Sequence, residues 1–402
     1  MKDFTTEVLI IGAGASGLMC AATAGYRGRK VRVLDHAPKA AAKIRISGGG
    51  KCNFTNQVVT SNEFICQNPH FVKSALARYQ PQDFIDLVDR HGLAYEEREL
   101  GKFFCRHRAG DLIHILKTEC DWAGVTLQLN TPIYSISKLT SETPDRARFG
   151  VETDEGLIEC ESLVIATGAL SFPKLKATNF GYQVAEQFGL KTIPNRPGLV
   201  PLVFDGSWQD FCCQLSGIAL DVQISTSDGQ QEKSFEEALL FTHQGISGPG
   251  VLQISNYWRP GQPIYINLLP KVDVLTELMQ LKQNNASLVR WLHRFWTKKF
   301  TQAWLEKYPI SSKLADLSNE TIERFAQQIS HWALYPSGTA GYDKAEVTLG
   351  GVDTDEVSSK NFEVKKVPGL YFIGEVLDVT GHLGGYNFQW AWSSGFAAGQ
   401  TV

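Results

Sequence analysis

The clearest chemical pattern lies near the start of the chain, in the sequence GAGASG. Gly12, Gly14 and Gly17 have the G-x-G-x-x-G spacing of a turn that binds the pyrophosphate of a dinucleotide. The first glycine permits a tight turn, the second lets the pyrophosphate approach the backbone, and the third lets the following helix pack closely on the strand. The N-terminus of that helix would offer free N–H groups and the positive end of its dipole to the phosphates.

An acidic residue follows at the distance expected for the ribose. Val31–Leu34 is predicted to be the second strand, and Asp35 ends it, where a carboxylate can accept both ribose hydroxyls. An acid at this position, where an arginine would suit a phosphate, favours an unphosphorylated ribose. The motif therefore indicates FAD or NAD in preference to NADP, and the alternative is a glycine-rich turn without a ligand.

Two further glycine-rich segments are predicted to lie against the same ligand. Ser47–Gly50 allows the backbone to approach a flat or charged group, and Lys43 adds positive charge nearby; the alternative is a flexible loop. Gly374 and Glu375 end a predicted strand and would reach the ribityl chain and the pyrophosphate. A helix that begins after Gly385 would stabilise negative charge at the N1/O2 edge of a reduced flavin, and the alternative is a core helix with a glycine cap.

The candidate proton donors come mainly from the C-terminal segment. Tyr386 follows the diglycine at the predicted flavin edge and is favoured slightly over His382 and over His243. A histidine in a loop is more often a surface or capping residue. Cys52 follows the triple glycine, and a thiol without a partner nearby in sequence is predicted to be structural.

The elements that must position these residues predict a Rossmann-like α/β domain that is split between the two ends of the chain. Phe149–Thr153 and Leu157–Cys160 flank a hairpin turn, and Leu163–Ala166 is a buried strand that leads into Thr167 and Gly168. A crossover of antiparallel strands that is closed by an A-T-G turn is an FAD-type layout. The last buried strand and the glycine-opened helix near the C-terminus would complete this domain.

The middle of the chain is predicted to form two inserted parts. Pro194, Pro197 and Pro201 cluster as a linker, strands with a turn at residues 228–229 follow, and residues 245–250 (GISGPG) are predicted to be a loop. Apolar residues at helical spacing come next. The predicted domains are 1–193 with 345–402 for FAD binding, 194–272 with 333–344 for an inserted β-barrel-like domain, and 273–332 for a small helical subdomain.

The composition is that of an ordinary globular protein. The 402 residues are 43% hydrophobic and 20% charged, and a net charge of −3 gives no support for a nucleic-acid partner, which is therefore predicted to be unlikely. No apolar run reaches membrane-spanning length, so no membrane association is predicted. Eight cysteines without a C-x-x-C motif or zinc-like spacing predict no metal site and a reducing, cytoplasmic environment.

Basic residues recur in the predicted helical subdomain. Arg290, Arg294 and Lys298 stand four apart, which would place them on one face of a helix, with Trp291 and Trp296 alongside. A binding surface for RNA or for an acidic partner is one interpretation. A solvated face over an apolar core is the alternative that such a pattern favours.

Three motifs together resemble a known family. Residues 47–53 (SGGGKCN), 240–250 (LFTHQGISGPG) and 374–387 (GEVLDVTGHLGGYN) are similar to motifs of a bacterial FAD-dependent oxidoreductase family. That family includes proteins described as aminoacetone oxidases and a bile-acid reductase of gut anaerobes. The resemblance covers essentially the whole chain and implies an FAD domain interrupted by a barrel-like domain and a helical insert. Lys51 stands where arginine is commoner, and Thr380 stands where an acid is expected.

The motifs and the resemblance together define a predicted cofactor site. The residues predicted to bind FAD are Gly12, Gly14, Ala15, Ser16, Gly17, Asp35, His36, Lys43, Ser47, Gly48, Gly49, Gly50, Ile133, Thr167, Gly168, Gly374, Glu375, Gly385, Tyr386 and Asn387. Tyr386 and His382 are the predicted catalytic residues. A second G-x-G-x-x-G unit is missing from the sequence, so NAD(P)H would either dock transiently as electron donor or be replaced by a reducing substrate.

The predicted activity is hydride transfer between flavin N5 and an organic small-molecule substrate held between the FAD domain and the inserted domains. The rival prediction is a flavoprotein that acts on or binds RNA, either as a tRNA-modifying enzyme or without catalysis. The two differ in whether RNA or a small molecule reoxidises the flavin.

Overall fold

The apolar run Val8–Ile11 lies in the middle of the main sheet of the protein, whose structure is a computed structural model that describes residues 4–139, 148–227 and 232–402. The run belongs to the strand Phe4–Ile11, which pairs in parallel with Val31–Leu34 on one edge and with Gly156–Ile165 on the other. Its residues from position 8 to position 10 are completely buried. A strand enclosed in this way has no polar face, which explains the unbroken apolar sequence.

The strand Gly156–Ile165 replaces the two shorter strands predicted for this stretch. The two predicted strands left residues 161–162 unassigned, but the pairing with the first strand continues on both sides of Glu161. Glu161 is accommodated because its carboxylate accepts a hydrogen bond from Arg29 at 2.7 Å. The strand pairs antiparallel with Phe149–Thr153, as the hairpin signal predicted, and in parallel with Leu370–Phe372 near the C-terminus.

The main sheet is therefore built from both ends of the chain. Its strand order is Thr126–Gln128, Val31–Leu34, Phe4–Ile11, Gly156–Ile165, Phe149–Thr153 and Ile133–Lys138, with Leu370–Phe372 also on Gly156–Ile165. In a three-stranded sheet, Lys102–Cys105 lies between Asn53–Asn56 and Tyr95–Arg98, and in a two-stranded sheet Thr380–Gly381 pairs with Phe64–Ile65. The helices around them are Ala15–Tyr26, Ala42–Ile46, Lys73–Arg78, Pro81–Arg90, Ala109–Trp122, Phe180–Gln187 and Tyr386–Gly399.

The first and last helices of this group pack directly on each other. A Cβ atom at Gly395 would lie 2.5 Å from the backbone oxygen of Ser16, and one at Gly399 would lie 2.6 Å from the Cβ atom of Thr23. The small residues predicted on both helices therefore allow their backbones to approach closely. This packing brings the N-terminal and C-terminal motifs to one end of the sheet.

Two of the three prolines that predict a linker lie in a strand, within which the chain passes from one compact unit to the other. Thr192–Gly198 contains Pro194 and Pro197 and pairs with Val347–Val352 in a two-stranded sheet. Prolines are tolerated there because a strand with a single neighbour needs only part of its N–H groups for pairing. Gly350 lies so close to Pro194 that a Cβ atom would be 2.4 Å from the Pro194 carbonyl oxygen.

The middle of the chain contains a seven-stranded antiparallel sheet. Its order is Trp332–Leu334, Ile264–Asn267, Ala219–Ser227, Glu232–Phe241, Gly245–Ser247, Leu202–Val203 and Gly338–Thr339. The predicted turn at 228–229 lies outside the described residues. The GISGPG segment, which predicts a loop, forms the short strand Gly245–Ser247 and the start of the helix Pro249–Ser255, because Gly248 at φ 93° allows a sharp change of direction and Pro249 suits a helix start.

Helices follow in the segment predicted to be helical. They are Val274–Gln283, Leu288–Leu292, Lys298–Lys307 and Asn319–Ser330, and one further helix of this unit, Ser207–Gln214, precedes that segment. These helices share one hydrophobic core with the antiparallel sheet, in which Trp304 and Phe300 are completely buried beside Phe241.

The spatial contacts divide the chain into two units. One consists of Met1–Arg196 with Val347–Val402 and the other of Pro197–Glu346. The division into three predicted domains stays a prediction. Within the described part of the chain, the helices are too short or too polar to cross a membrane.

Candidate functional site

The three glycines of the N-terminal motif have three different environments. A Cβ atom at Gly12, where φ is 111°, would lie 2.3 Å from the carbonyl oxygen of Ala166, and one at Gly17 would lie 2.0 Å from the carbonyl oxygen of Gly12. A Cβ atom at Gly14 would meet no protein atom within 4 Å. Gly12 and Gly17 are thus required by the fold, whereas the space at Gly14 is open to a ligand.

The open side of Gly14 is also the start of a helix. Gly14 is the N-cap of Ala15–Tyr26, a helix whose first turn carries neither a side-chain cap nor an acidic residue. The first N–H groups and the positive end of the helix dipole therefore face the open space at Gly14. This arrangement fits the pyrophosphate of a dinucleotide.

The Asp35 carboxylate holds the glycine turn in place. Its Oδ2 accepts a hydrogen bond from the Ala13 N–H and its Oδ1 accepts one from the Ala37 N–H, both at 2.8 Å. The sequence predicted that Asp35 would bind ribose hydroxyls, but it did not predict this positioning of the turn. Each carboxylate oxygen has a second lone pair, so ribose binding remains compatible with these contacts.

The A-T-G turn and the C-terminal strand end beside the glycine turn. The Ala166 N–H donates to the Ile11 carbonyl at 2.8 Å. This bond places the next two residues, Thr167 and Gly168, beside the glycine turn. Gly374, at φ 74°, lies so close to Ser16 that a Cβ atom would be 2.5 Å from the serine Oγ. Predicted site residues from both ends of the chain are therefore neighbours.

An ion pair joins the next two predicted residues. Lys43 Nζ donates to Glu375 Oε2 at 2.7 Å and to Ser171 Oγ at 2.8 Å. The other oxygen of Glu375 accepts a hydrogen bond from the Thr348 N–H at 3.1 Å. The ammonium group is partly exposed and its charge is offset by the Glu375 carboxylate, so the predicted contact of Lys43 with a phosphate stays a prediction.

The pair offers a test of how much this contact stabilises the unit. Glu375→Gln keeps the shape of the side chain but removes its charge, and because both groups are partly exposed we expect a loss of about 1 kcal/mol in the free energy of unfolding. Thermal unfolding of the cofactor-free protein measures the loss. Glu96→Gln, which removes the partner of Arg98 from a solvent-exposed ion pair, is the control and should change stability less.

A second cluster surrounds the C-terminal diglycine. The Asn56 side-chain amide donates to the Gly384 carbonyl at 3.0 Å, and a Cβ atom at Gly385, where φ is 94°, would lie 2.4 Å from the Thr55 carbonyl oxygen. Asn53 contacts this diglycine and also Gly48 of the SGGG segment, where a Cβ atom would be 3.1 Å from the Asn53 N atom. The two glycine-rich segments are therefore brought together by one strand.

The backbone of the SGGG segment is strongly curved. Gly48, Gly49 and Gly50 all have positive φ angles, which residues with a side chain rarely adopt. Space around Gly49 is open, since a Cβ atom there would meet no protein atom within 4 Å. The segment thus presents its backbone on an open side, and the Ser47 hydroxyl donates to the Ile44 carbonyl at 2.8 Å.

Tyr386 and His382 lie together at the start of the C-terminal helix. Their rings are 6.4 Å apart and nearly perpendicular, and the Tyr386 ring also packs edge-on against Phe64. The Asn387 side chain closes the turn between them by accepting from the Gly381 N–H at 2.8 Å and donating to the Gly381 carbonyl at 2.9 Å. Both predicted catalytic side chains are half-buried.

Of three further predicted residues, two lie near Asp35 and one belongs to the other unit. His36 is exposed and its Nε2 lies 2.9 Å from the Lys176 carbonyl oxygen, beside Asp35. Ile133 starts a strand two residues after Thr131, whose N–H donates to the Asp35 carbonyl at 3.0 Å. His243 belongs to the other unit, where its Nδ1 lies 3.7 Å from Cys213 Sγ.

The sequence analysis missed several residues that support the site. The Thr348 hydroxyl accepts from the Leu170 and Ser171 N–H groups, and the Thr348 carbonyl accepts from the Thr380 hydroxyl at 3.0 Å. Thr380 is thus a buried structural contact at the position where the family resemblance implies an acid. Asp378 accepts from the Gln67 N–H at 2.9 Å, and burial raises the pKa of its carboxyl group. Asp378 and Thr380 lie within the C-terminal motif at 374–387, and this position was the sequence signal that could have identified them as site residues.

The cysteines give a simple test of the packing. All eight are free, and burial raises the thiol pKa of Cys66 to about 11 and that of Cys105 to about 12, whereas Cys213 is exposed. Because only the thiolate reacts, we expect one of the eight thiols to react rapidly with a disulfide reagent at pH 8. Cys213→Ser should abolish the rapid phase, and Cys52→Ser, at a completely buried position, should leave it unchanged.

Comparison with known proteins gives the family. The model of the HI0933-like protein Rossmann domain matches residues 6–401. The chain belongs to this family. It is 47% identical over 400 residues to a protein of Haemophilus influenzae named ribosomal RNA dihydrouridine synthase, with 99% of this chain and 98% of that protein covered. A protein of the same name from Escherichia coli is 46% identical over 98% of both chains.

More distant matches agree with the predicted resemblance and fold. The 3-dehydro-bile acid delta(4,6)-reductase of Clostridium scindens is 26% identical over 98% of both chains. A solved quinol-fumarate reductase with menaquinol molecules superposes with a TM-score of 0.51 and 14% identity, covering 100% of this chain and 71% of that one, which shows a shared fold. The predicted family resemblance is thus confirmed.

The predicted fold class is also confirmed. The Rossmann-like domain is split between N- and C-terminal parts, and an antiparallel sheet and helices are inserted between them. The prediction that a nucleic-acid partner is unlikely finds no support, because two relatives at 46–47% identity carry names that refer to ribosomal RNA.

Proposed function

We propose that this protein is an FAD-dependent oxidoreductase that reduces uridine in ribosomal RNA to dihydrouridine. The observation that carries the proposal is the full-length similarity to two proteins named ribosomal RNA dihydrouridine synthase. This similarity favours the alternative hypothesis, an activity on RNA, over an activity on a free small molecule. The proposed substrate is ribosomal RNA, whereas the sequence analysis named tRNA.

The chemistry of the more distant relative supports the same reaction class. The name of the Clostridium scindens enzyme describes reduction of carbon–carbon double bonds conjugated to a 3-oxo group. The C5=C6 bond of uridine is likewise conjugated to a carbonyl, at C4. In the proposed reaction a hydride adds to C6 of uridine and a proton adds to C5, the carbon next to the carbonyl, so that one π bond is replaced by two C–H bonds.

Residues of the N- and C-terminal motifs would hold the cofactor. The open space at Gly14 and the start of its helix would bind the pyrophosphate, and Asp35 would bind the ribose. Lys43 and Glu375 would contact the part of FAD that lies between the two glycine-rich clusters. When bound, FAD would supply a centre that receives two electrons from a reductant of the NAD(P)H class and passes them on as a hydride. The helix that begins at Tyr386 would direct its positive end toward negative charge on that centre.

The proposed source of the proton is a side chain of the protein. Tyr386 and His382 are the proposed donors, because they are half-buried neighbours at the start of the C-terminal helix. A donor in this place would protonate C5 of uridine while the surrounding Phe64 and Asn387 contacts hold the Tyr386 ring and its turn in position.

The test uses FAD-loaded protein, NADH or NADPH, and ribosomal RNA transcribed in vitro, which carries no modified nucleosides. Mass spectrometry of the digested RNA should show a nucleoside two mass units heavier than uridine only when protein, FAD and reductant are all present. Anaerobically, the same RNA should reoxidise the reduced flavin. If neither reductant yields dihydrouridine, and a 3-oxo-4,6-diene steroid reoxidises the flavin when RNA does not, the proposed substrate is wrong.

A further inference from the structure

The charges of the second unit are unevenly distributed along its sequence. Between residues 282 and 313 there are seven lysines and arginines and a single acid, Glu306, whereas the rest of residues 197–346 carries more acids than bases. Some of these bases are bound within the unit. Lys282 donates to the Leu317 carbonyl at 2.7 Å, and the Lys307 ammonium lies 4.1 Å from the centre of the Trp208 ring.

Four of the other bases, Arg290, Arg294, Lys298 and Lys299, lie at one bend of the chain, and Lys313 lies beyond the second helix of this bend. The continuous helical face predicted for Arg290, Arg294 and Lys298 is wrong, because the chain forms two helices, Leu288–Leu292 and Lys298–Lys307. Thr297 separates them, since its hydroxyl caps the second helix by accepting from the Phe300 N–H at 3.3 Å. We call the exposed bases at this turn the basic bend; they are Arg290, His293, Arg294, Lys298 and Lys299.

The side chains of the basic bend are available for a partner. Arg290, Lys298 and Lys299 form no ion pair within the described ranges. Arg294, whose side chain is 61% exposed, has a 3.4 Å contact with Glu277 and lies over the Phe295 ring, 5.2 Å from its centre. A rigid apolar base holds the bend in shape. Trp291, Trp296 and Phe300 are buried beneath it, and the Trp291 indole N–H donates to Glu277 at 2.5 Å.

We propose that the basic bend binds the phosphate backbone of the RNA substrate. The inference rests on the proposed function for the choice of RNA as occupant, and on charge complementarity for the choice of surface. Four fixed positive charges and a titratable histidine within ten residues, without a neighbouring acid in sequence, match a line of phosphates. Lys298 and Lys299 also begin a ten-residue helix, so that the helix dipole adds to their charge.

The test compares two charge reversals of equal size in the FAD-loaded protein. K298E/K299E removes two bases of the basic bend, and K117E/K344E changes two exposed lysines elsewhere by the same net charge. Glutamates in the first turn of a helix interact favourably with its dipole, so the first variant should fold normally. Binding of in vitro transcribed ribosomal RNA is measured between 50 and 300 mM KCl, together with phosphatidylglycerol vesicles as a second anionic probe.

We expect K298E/K299E to bind the RNA at least about tenfold more weakly at 100 mM KCl, with a slope of log K against log salt that is shallower by about 1.5–2. The control variant should stay within about twofold of the wild type. The inference is overturned if K298E/K299E binds RNA as the wild type does, or if these lysines govern binding to vesicles and not to RNA.

The proposed function fails separately from this inference. If RNA binding depends on Lys298 and Lys299 but no dihydrouridine forms, the basic bend is an RNA-binding surface and the proposed reaction is wrong. If K298E/K299E forms dihydrouridine at the wild-type rate when RNA is limiting, the proposed reaction stands and the proposed role of the basic bend is wrong. In every case the rate of flavin reduction by NAD(P)H should be the same in both variants, because it does not involve RNA.

Discussion

Gly17→Ala is expected to destabilise the N- and C-terminal unit by about 3 kcal/mol, whereas Gly14→Ala, three positions earlier, is expected to leave its stability almost unchanged. The new Cβ atom at position 17 would lie 2.0 Å from the Gly12 carbonyl oxygen and 3.3 Å from the Ala166 Cβ atom. Relief would require the helix Ala15–Tyr26 to move away from the strand that it covers. Urea unfolding of the cofactor-free proteins, followed by tryptophan fluorescence, measures both variants.

Gly14→Ala separates ligand binding from folding within the same motif. No protein atom lies within 4 Å of the new Cβ atom, and the φ angle of −83° suits alanine. If the pyrophosphate occupies this space, the methyl group displaces it from the helix N–H groups and the Kd for FAD rises about tenfold to a hundredfold. Flavin fluorescence titration gives the Kd. Unchanged affinity in Gly14→Ala would mean that the open space at Gly14 does not hold the phosphates.

Tyr386→Phe is expected to lower kcat for dihydrouridine formation by about a hundredfold or more, which is the usual contribution of a positioned proton donor. The substitution removes only the hydroxyl group, so the packing of the ring on Phe64 and the binding of FAD should be retained. The rate of flavin reduction by NAD(P)H should not change, since that step does not use the proton. Single-turnover oxidation of the reduced flavin by RNA isolates the affected step.

Two comparisons make this result specific. Tyr134→Phe applies the same chemical change to a tyrosine that is 63% exposed on the outer strand of the main sheet, and it should leave the rate unchanged. His382→Gln tests the neighbouring candidate. A large loss in His382→Gln with little loss in Tyr386→Phe would assign the proton to His382.

Much of the cofactor site could be predicted because its motifs are local. Gly12, Gly14 and Gly17 stand between an apolar run and a helix of small residues, and this pattern is enough to predict a strand, a turn and a helix. It is enough because each glycine is needed for steric reasons that involve only nearby residues or the ligand. Pattern reading was less successful where tertiary contacts compensate for an unfavourable local signal. One strand runs through the gap between two predicted strands, where Glu161 pairs with Arg29. Pro194, which was predicted to belong to a linker, lies in a strand with a free edge.

By itself, the sequence determined the Rossmann-like class and the glycine turn, because these follow from periodicity and spacing within some thirty residues. The full set of residues that would line FAD stays a prediction. Only the tertiary structure decided which distant groups meet. Lys43 and Glu375 are 332 positions apart, and Asn56 and Gly384 are 328 positions apart, yet each pair is in hydrogen-bond contact. Such contacts depend on how helices and sheets pack across the chain, and no spacing within either segment encodes them.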